Sequence, residues 1–380
     1  MDGKRSVCVM TLHPLAGVGG EEQVTRDLVS LLESMGYGVT VVEPCSDKEL
    51  DLVRRGLLRL ARVLRASDVL WGWWLGRRVA AQPWDWVLVN SGAGWSLSGV
   101  MSAGLFHGTI AGYQRAMSAQ GAMKSVTSYK LALVDSKLER WSARKRQIVI
   151  AVSRSTSEEL RTHYGVEATA IIPNMVDTVR FRPGTPGERK RLRNHFKLPE
   201  NDVIGIFVGR GTEHKGLTTL KRLLGGPLEC GGLVVVSPTP LNLGARNVYE
   251  FTGVSGAALA DLYRACDFAL LPSRWEACSL VLAEAMASGL VPIVSAVGHA
   301  RELRSVSALA PFVIEDPGDV AAFAAAVRLV MRTEARSTAQ GAARSVAVQW
   351  HGKENFAMAY QAIFGLLERD GSQTPANMVT

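Results

Sequence analysis

Short apolar runs alternate with amphipathic stretches along most of the chain. Residues 7–12 form the first run, and a Pro- and Gly-rich loop follows it. Apolar side chains then recur from Val24 to Met35 at positions i, i+4, i+7, i+8 and i+11, which predicts a helix that ends near Gly36. Residues 39–42 form the next run. This order of strand, glycine loop, helix and strand predicts a βαβ unit of a parallel sheet.

Further apolar runs of strand length follow, with helical stretches between several of them. They lie at residues 87–89, 105–106, 148–152, 204–208, 233–236, 268–271 and 291–294. Alternation of this kind predicts a doubly wound α/β architecture. Residues 172–187 hold three prolines and two glycines before the strand pattern restarts, so we place a domain boundary there. Two such domains predict a ligand cleft at the carboxyl ends of their strands.

Charge is distributed unevenly along the 380 residues, whose formal net charge is +8. Between residues 51 and 154, 16 Lys or Arg stand against five Asp or Glu, so the basic excess lies in one region. This excess indicates an anionic partner: a nucleic acid, a phosphorylated ligand or a membrane surface. No nucleic-acid-binding module is recognisable, and we therefore expect no nucleic acid partner.

Cysteines and apolar segments narrow the class of protein further. The five cysteines are scattered and form no C-x-x-C pair, which argues against a disulfide framework or a zinc ribbon. No segment approaches the length of a transmembrane helix, and the first apolar run is too short for a signal peptide. We expect a cytoplasmic protein, with peripheral binding to the inner face of the cell membrane as an open alternative. No D-x-D triplet occurs, which argues against a metal–diphosphate site of that type.

Residues 271–289 hold the strongest candidate for chemistry. An apolar strand ends at Leu271, Pro272 turns the chain, and a helix is predicted from near Ser279 to Gly289. The first amides of such a helix can bind a phosphate group. Glu276 and Glu284, eight residues apart, bracket the helix start and could accept hydrogen bonds from sugar hydroxyls. On spacing alone, two solvated glutamates are the simpler interpretation.

This segment, P-S-R-W-E-A-C-S-L-V-L-A-E-A-M-A-S-G-L-V-P, resembles the Glu-x7-Glu motif of retaining glycosyltransferases of the GT-B fold, family 4. Ala277 and Ser279 replace two glycines that are usual in the family. The F-V-G-R run that ends at Arg210, followed by Lys215 and a glycine, is similar to the element that holds the donor diphosphate there. His107, in F-H-G-T, is similar to a histidine that contacts the transferred sugar.

The resemblance implies two Rossmann-like doubly wound domains that face a cleft. It places an acceptor-side domain at residues 1–175, a nucleotide-sugar donor domain at 176–350 and a helix at 351–370 that crosses back to the first domain. A flexible tail would follow at 371–380. Trp350 and the apolar-periodic residues after it carry the resemblance to that helix.

The implied site residues fall into two groups. His107 and Glu276 would be catalytic, and the donor would be bound by Gly19, Gly20, Arg210, Lys215, Cys278, Ser279, Leu280 and Glu284. The cations and helix amides would stabilise the departing diphosphate, with Glu284 on the ribose. No cofactor and no metal ion are expected. The loop at 236–239 departs from the family's G-x-G-P pattern, so the base of the nucleotide stays open.

We therefore expect a retaining hexosyltransferase that moves a sugar from a nucleotide-sugar to a hydroxyl acceptor, with a lipid-linked or cell-envelope glycan as one candidate. A GT-B phosphorylase, an epimerase and a pseudoenzyme that only binds nucleotide-sugar are the alternatives.

The basic region contains a possible membrane-facing helix. Val53, Leu57, Leu60 and Leu64 share one helical face among seven arginines of residues 52–79, and three tryptophans follow. Such a helix could lie on an anionic membrane. The alternative is an ordinary core stripe beneath a solvated arginine face, with the tryptophans packed inside.

Overall fold

The computed structural model describes residues 5–17, 19–64, 66–119, 134–226 and 228–368. The chain divides into two compact units. The first comprises Met1–Ile172 together with the chain from Ala357 onward, and the second comprises Pro173–Phe356. The tail expected at 371–380 lies outside the described residues.

The first unit is built on a six-stranded sheet in which all strand pairs are parallel. Its order is β2-β1-β3-β4-β5-β6, and its strands are β1 (Ser6–Met10), β2 (Gly38–Val42), β3 (Trp86–Asn90), β4 (Ser102–Phe106), β5 (Ile148–Ala151) and β6 (Ala170–Ile171). The described helices between them are α1 (Gly20–Ser34), α2 (Leu52–Val63), α3 (Ser67–Ala80), α4 (Ile110–Ala119), α5 (Ser136–Arg144) and α6 (Arg154–Glu159).

The central strands of this sheet are buried, which accounts for their apolar sequences. Every residue of β3 and β4 is buried, as expected for a parallel sheet covered by helices on both faces. In α1 the predicted apolar face is confirmed, because Val24, Leu28 and Leu32 are buried. The glutamates of its first turn complement the positive end of the helix dipole.

The second unit repeats the architecture. Its sheet has the order β12-β11-β10-β7-β8-β9, with β7 (Ile204–Val208), β8 (Gly232–Ser237), β9 (Val248–Thr252), β10 (Phe268–Leu271), β11 (Val291–Ser295) and β12 (Val313–Ile314). All pairs are parallel. The described helices are α7 (Pro186–His195), α8 (Leu217–Leu224), α9 (Gly256–Ala265), α10 (Leu280–Ala287), α11 (Val320–Met331), α12 (Thr333–His351) and α13 (Lys353–Glu368).

These two sheets confirm the predicted fold class of two Rossmann-like α/β units. In each sheet the strand order reverses at one point, between β1 and β3 in the first unit and between β7 and β10 in the second. Loops that leave the carboxyl ends of the strands diverge at such a switch point and open a crevice for a ligand. The chemistry of each unit is therefore expected beside these strand pairs.

Helix α13 spans the return of the chain to the first unit. Its residues from Ala357 onward belong to that unit. Tyr360 and Phe364 are buried, and the Phe364 ring lies 4.0 Å from that of Trp86 on β3. This aromatic contact anchors the helix to the edge of the first sheet's core.

The apolar face of the basic helix α2 is exposed and not packed in the core. Val53, Leu57, Leu60 and Leu64 are all exposed, with 73% of Val53 accessible to solvent. Only Leu58 and Ala61 of α2 are buried. The core-stripe alternative is therefore wrong for this face.

Candidate functional site

Two loops at the switch point of the second unit bring a lysine and a glutamate together. One leaves β7 and carries Lys215, and the other leaves β10 and carries Glu276. The Lys215 Nζ lies 2.6 Å from the Glu276 Oε1, and the Ser273 Oγ donates to the same oxygen over 2.8 Å. The two residues are 61 positions apart in sequence, so the sheet topology makes the pair.

Gly216 allows the two loops to approach this closely. Its φ is +76°, in the left-handed region that other residues rarely adopt. A Cβ added there would lie 2.0 Å from the carbonyl oxygen of Pro272. Glycine is therefore required at 216 both for its backbone angle and for the close contact that sets Lys215 against Glu276.

The electrostatics of the pair favour its charged form. Only 19% of the Lys215 side chain and 16% of that of Glu276 are exposed. Burial opposes ionisation of Glu276, but the Lys215 ammonium and the Ser273 hydroxyl outweigh it and lower the pKa of the carboxyl. Glu276 is therefore a carboxylate at neutral pH, held by charge-assisted hydrogen bonds.

The backbone after Glu276 is fixed from two sides. Gly298 has a φ of +54°, and a Cβ there would lie 2.3 Å from the Glu276 carbonyl oxygen. On the other side, the Asn174 Nδ2 donates to the Cys278 carbonyl over 2.7 Å. Asn174 is itself buried and its carbonyl lies 2.7 Å from the His351 Nδ1. The loop is thus set before any ligand binds.

Helix α10 begins where the sequence predicted. Ser279 is its N-cap and accepts a hydrogen bond from the Leu282 amide. Cys278 is buried, and burial raises the pKa of its thiol to about 12, which keeps it protonated. One turn into the helix, the Glu284 carboxylate accepts a hydrogen bond from Tyr263 over 3.3 Å. Arg210, at the end of β7, is exposed.

The loop after β8, which departs from the family pattern, is held by one carboxylate. Glu250 on β9 accepts hydrogen bonds from the consecutive amides of residues 241–243 at 2.8 to 3.1 Å. These three bonds outweigh desolvation and lower the pKa of Glu250. Leu241 packs against Gly211, where a Cβ would meet its Cδ2 at 2.3 Å. The loop therefore lies beside the Arg210 turn.

In the first unit, the glycine loop after β1 surrounds a carboxylate of its own helix. Gly19 is the N-cap of α1, and Gly20 is its first residue. A Cβ at Gly19 would lie 2.2 Å from the Glu22 Oε2, and one at Gly17 would lie 2.8 Å from its Oε1. The missing side chains thus leave the space that Glu22 occupies.

His107 directly follows β4 in the same unit. Its Nε2 is buried and makes no hydrogen bond to any described residue. Burial lowers the pKa of the imidazole, while Glu21 opposes this and His13 adds to it. The ring is therefore neutral at pH 7 and can donate or accept one hydrogen bond at each nitrogen according to its tautomer.

Two glutamates support the residues after His107. The Glu159 carboxylate accepts hydrogen bonds from the Thr109 amide and hydroxyl at 2.9 and 2.8 Å. Glu139 accepts from the Ile110 amide and from the Tyr164 hydroxyl at 2.7 and 2.5 Å. Burial raises the pKa of Glu139 to about 7, against these hydrogen bonds. Amides at the start of α4 are thus satisfied from within the unit.

The structure brings together Lys215, Glu276 and the loop at 278–280 in the second unit, and it places His107, Gly19 and Gly20 in the first. The supporting residues escaped the sequence analysis: Ser273, Glu139, Glu159, Glu250 and Gly298. Gly298 follows β11 and could have been singled out as a glycine after a strand. Glu139 and Glu159 carry no local signal, because their partners lie 25 to 50 positions away in sequence.

The fold and these strand-end sites define a protein of the GT-B class. Solved structures with this fold include sucrose-phosphate synthase from Thermosynechococcus elongatus, with a TM-score of 0.73 and 18% identity over 96% of this chain and 99% of that one. Another is Anabaena HepE in complex with UDP-glucose, with a TM-score of 0.66 and 15% identity over 96% and 99%.

Sequence comparison gives the family. Residues 18–180 match the model "Glycosyltransferase Family 4", and residues 202–333 match "Glycosyl transferases group 1". D-inositol 3-phosphate glycosyltransferase of Geodermatophilus obscurus is 30% identical over 226 residues, which cover 53% of this chain and 49% of the relative. The match thus spans about half the length of that relative. The chain belongs to glycosyltransferase family 4.

Proposed function

We propose that the protein is a retaining glycosyltransferase that moves a sugar from a nucleotide diphosphate to a hydroxyl acceptor without a metal ion. The Lys215–Glu276 pair at the switch point is the observation that carries this proposal. It offers a cation for a diphosphate and a carboxylate for sugar hydroxyls within 2.6 Å of each other. The complex of HepE with UDP-glucose supports a nucleotide-sugar as the donor.

The second unit supplies the charge that the departing group needs. Lys215, exposed Arg210 and the first amides of α10 would stabilise the diphosphate as the bond to the sugar breaks. Glu284 would accept hydrogen bonds from the ribose. Glu276 would hold the sugar hydroxyls in one orientation, because its carboxylate is fixed by Lys215 and Ser273.

Retention follows from attack on the face from which the diphosphate leaves. The bond between the anomeric carbon and the diphosphate oxygen breaks, and the acceptor oxygen bonds to the same carbon. The acceptor's proton passes to the departing diphosphate, so no protein nucleophile is required. Neutral His107 would orient the sugar through one hydrogen bond.

A thermal-shift panel with UDP-, GDP-, ADP- and dTDP-sugars tests the donor class, because a bound ligand raises the melting temperature. The nucleotide-sugar that stabilises the protein should also be consumed with release of its nucleoside diphosphate when an acceptor is present. Proton NMR of the product should show the anomeric configuration of the donor. Stabilisation without turnover for any acceptor class would indicate a pseudoenzyme, and an inverted anomer would refute retention.

We further propose that α2 lies on an anionic membrane and presents a lipid-linked acceptor. The exposed apolar face at Val53, Leu57 and Leu60 lies beside exposed arginines at 54, 59 and 62. A helix with these two faces suits the interface of an anionic bilayer. Among the described residues, no helix is long and apolar enough to cross a membrane.

Sedimentation with vesicles of phosphatidylglycerol and phosphatidylcholine tests this surface. We expect binding at low salt that weakens as salt rises, because screening shortens the reach of the arginine charges. The double variant Leu57→Ser, Leu60→Ser should lose this binding. Val179→Ser, which alters an apolar residue of the second unit that is even more exposed, should not. Equal sedimentation of both variants would rule out α2 as the contact.

A further inference from the structure

A cavity in the second unit adjoins Glu276. The room inside it amounts to about 10 Å³, enough for one group the size of a water molecule or a hydroxyl. Its polar lining consists of Ser273, Glu276, Ser279, Ser295 and His299, and its walls include Leu271 and Val294. The cavity therefore continues the proposed donor site between the ends of β10 and β11.

Two of these polar residues have no role in the contacts described so far. Ser295 is 1% exposed and His299 is 3% exposed. The Ser295 Oγ and the His299 Nε2 make no hydrogen bond to any described residue. The His299 Nδ1 lies 3.3 Å from the Glu302 Oε1 without hydrogen-bond geometry. Buried polar groups are nearly always hydrogen-bonded, so two such groups at one cavity point to a ligand that supplies the partners.

The main chain fixes both residues at the cavity. Ser295 is the last residue of β11, so the sheet sets its position. The His299 amide donates to the Ala277 carbonyl over 2.8 Å, which ties it to the loop that carries Glu276. Its ring packs against those of Trp350 and His351, with centroids 5.1 and 4.9 Å away. Neither side chain can turn to solvent for a partner.

Charge decides which ligand suits the cavity. Among the described residues, the lining holds one carboxylate, that of Glu276, and no lysine or arginine. An anionic group placed there would find no cation in this lining, because the nearby Lys215 ammonium is already paired with Glu276. A hydroxyl can both donate and accept, which matches the serine hydroxyl and the imidazole.

We propose that Ser295 and His299 form a subsite for a hydroxyl of the donor sugar and so select neutral sugars over uronic acids. This inference rests on the proposed donor function and names the class of sugar. The two residues would determine specificity, because they act on the sugar and leave the nucleotide untouched.

The test compares the affinity of the protein for a nucleotide-sugar with its affinity for the bare nucleotide. Calorimetry would use UDP-glucose with UDP, GDP-mannose with GDP and ADP-glucose with ADP, and continue with the pair that binds the wild type. We expect Ser295→Ala and His299→Ala each to weaken nucleotide-sugar binding about three- to tenfold, the range for one neutral hydrogen bond. Binding of the bare nucleotide should be unchanged. UDP-glucuronic acid should bind no more tightly than UDP.

Ser288→Ala is the matched control. Ser288 is also buried with an unpartnered hydroxyl, but it follows the last turn of α10, away from the cavity lining. Ser288→Ala should alter neither affinity. Ser295→Ala should melt no lower than the wild type, because it removes a hydroxyl that has no partner in the free protein. That result separates a ligand contact from a structural role and covers the case in which His299→Ala fails to fold.

The outcomes separate this inference from the proposed function. If none of the three pairs binds the wild type, the donor function fails and the subsite fails with it. If a pair binds and Ser295→Ala keeps the wild-type ratio of nucleotide-sugar to nucleotide affinity, the subsite is refuted while the donor function stands. Tighter binding of UDP-glucuronic acid than of UDP-glucose would also overturn the choice of neutral sugars.

Discussion

The two units use the same fold to build sites of opposite character. In the second unit, Lys215 and Glu276 meet across two loops and neutralise each other. In the first unit, two glutamates take up amides and hydroxyls around His107, while the imidazole Nε2 has no partner among the described residues. In the second unit the candidate reactive groups contact each other. In the first unit the glutamates bind the residues that follow His107 and not His107 itself. The difference teaches that the carboxyl ends of parallel strands supply a place for chemistry, whereas side-chain pairs decide how complete the site is before a ligand binds.

The largest effect should come from breaking the pair of the second unit. Lys215→Ala and Glu276→Ala should each lower kcat by about 10² to 10³, the usual loss when one group that stabilises a transition state is removed. Circular dichroism should be unchanged. In the double variant the losses should not add, because each residue holds the other in place. Transfer close to that of the wild type in either single variant would remove that residue from the mechanism.

Gly216 should show how far the pair depends on backbone geometry. Gly216→Ala puts a Cβ 2.0 Å from the Pro272 carbonyl at a φ of +76°, so the loops must separate. We expect a loss of roughly 1 to 3 kcal/mol in unfolding free energy from the strained backbone alone, together with a fall in kcat. Gly187→Ala is the control, because its Cβ would meet no atom within 4 Å. Equal denaturant midpoints for the two variants would contradict this account.

The first unit should respond to pH through Glu139. Its pKa is raised from 4.5 to about 7, so the folded chain binds this proton more tightly than the unfolded chain does. Stability should therefore fall as pH rises from about 4.5 to about 7, by up to about 3 kcal/mol, and should stay level above that. Glu139→Gln should flatten this dependence in urea titrations from pH 5 to pH 8. Parallel curves for variant and wild type would show that Glu139 does not titrate there.

The smallest effect is expected at the unpartnered imidazole. His107→Ala should reduce kcat about tenfold, because it removes one hydrogen bond to the sugar and no charge. Burial lowers the pKa of His107 below its ordinary value of 6.5 and keeps the ring mostly neutral above pH 7, so its protonation should not shape the pH–rate profile between pH 7 and pH 8. A fall in kcat as large as that of Glu276→Ala would mean that His107 contributes as much to catalysis as Glu276 does.

Sequence patterns found the central strands of each sheet and the edge strand β2, and missed the other three edge strands. The nine predicted apolar runs correspond to β1, β2, β3, β4, β5, β7, β8, β10 and β11. The missed β6 and β12 have two residues each, and every residue of β9 is at least partly exposed. These three edge strands are short or partly exposed, so they lack the continuous apolar run that marks a central strand.

For the candidate site, too, the sequence predicted individual residues but not the contacts between them. The resemblance singled out Lys215, Glu276 and His107, but no sequence pattern could pair Lys215 with Glu276 across 61 positions. That pairing comes from the strand order, which sets β7 beside β10. Glu139 and Glu159 accept hydrogen bonds from main-chain amides that are 29 and 50 positions away. A residue of any type other than proline could supply such an amide. Contacts to the backbone leave no trace in the residue types of their partners.

Asn174 and His351 lie at the two places where the chain passes between the units, and they touch. The Val176 amide donates to the His351 carbonyl over 2.9 Å, so entry and exit of the second unit are adjacent. Residues 173–356 therefore have the form of an insertion whose ends meet. Because its ends are adjacent, such a cassette can be exchanged without spreading its host apart. Because Asn174 also holds Cys278, a transplanted cassette would carry its own brace for the loop that follows Glu276.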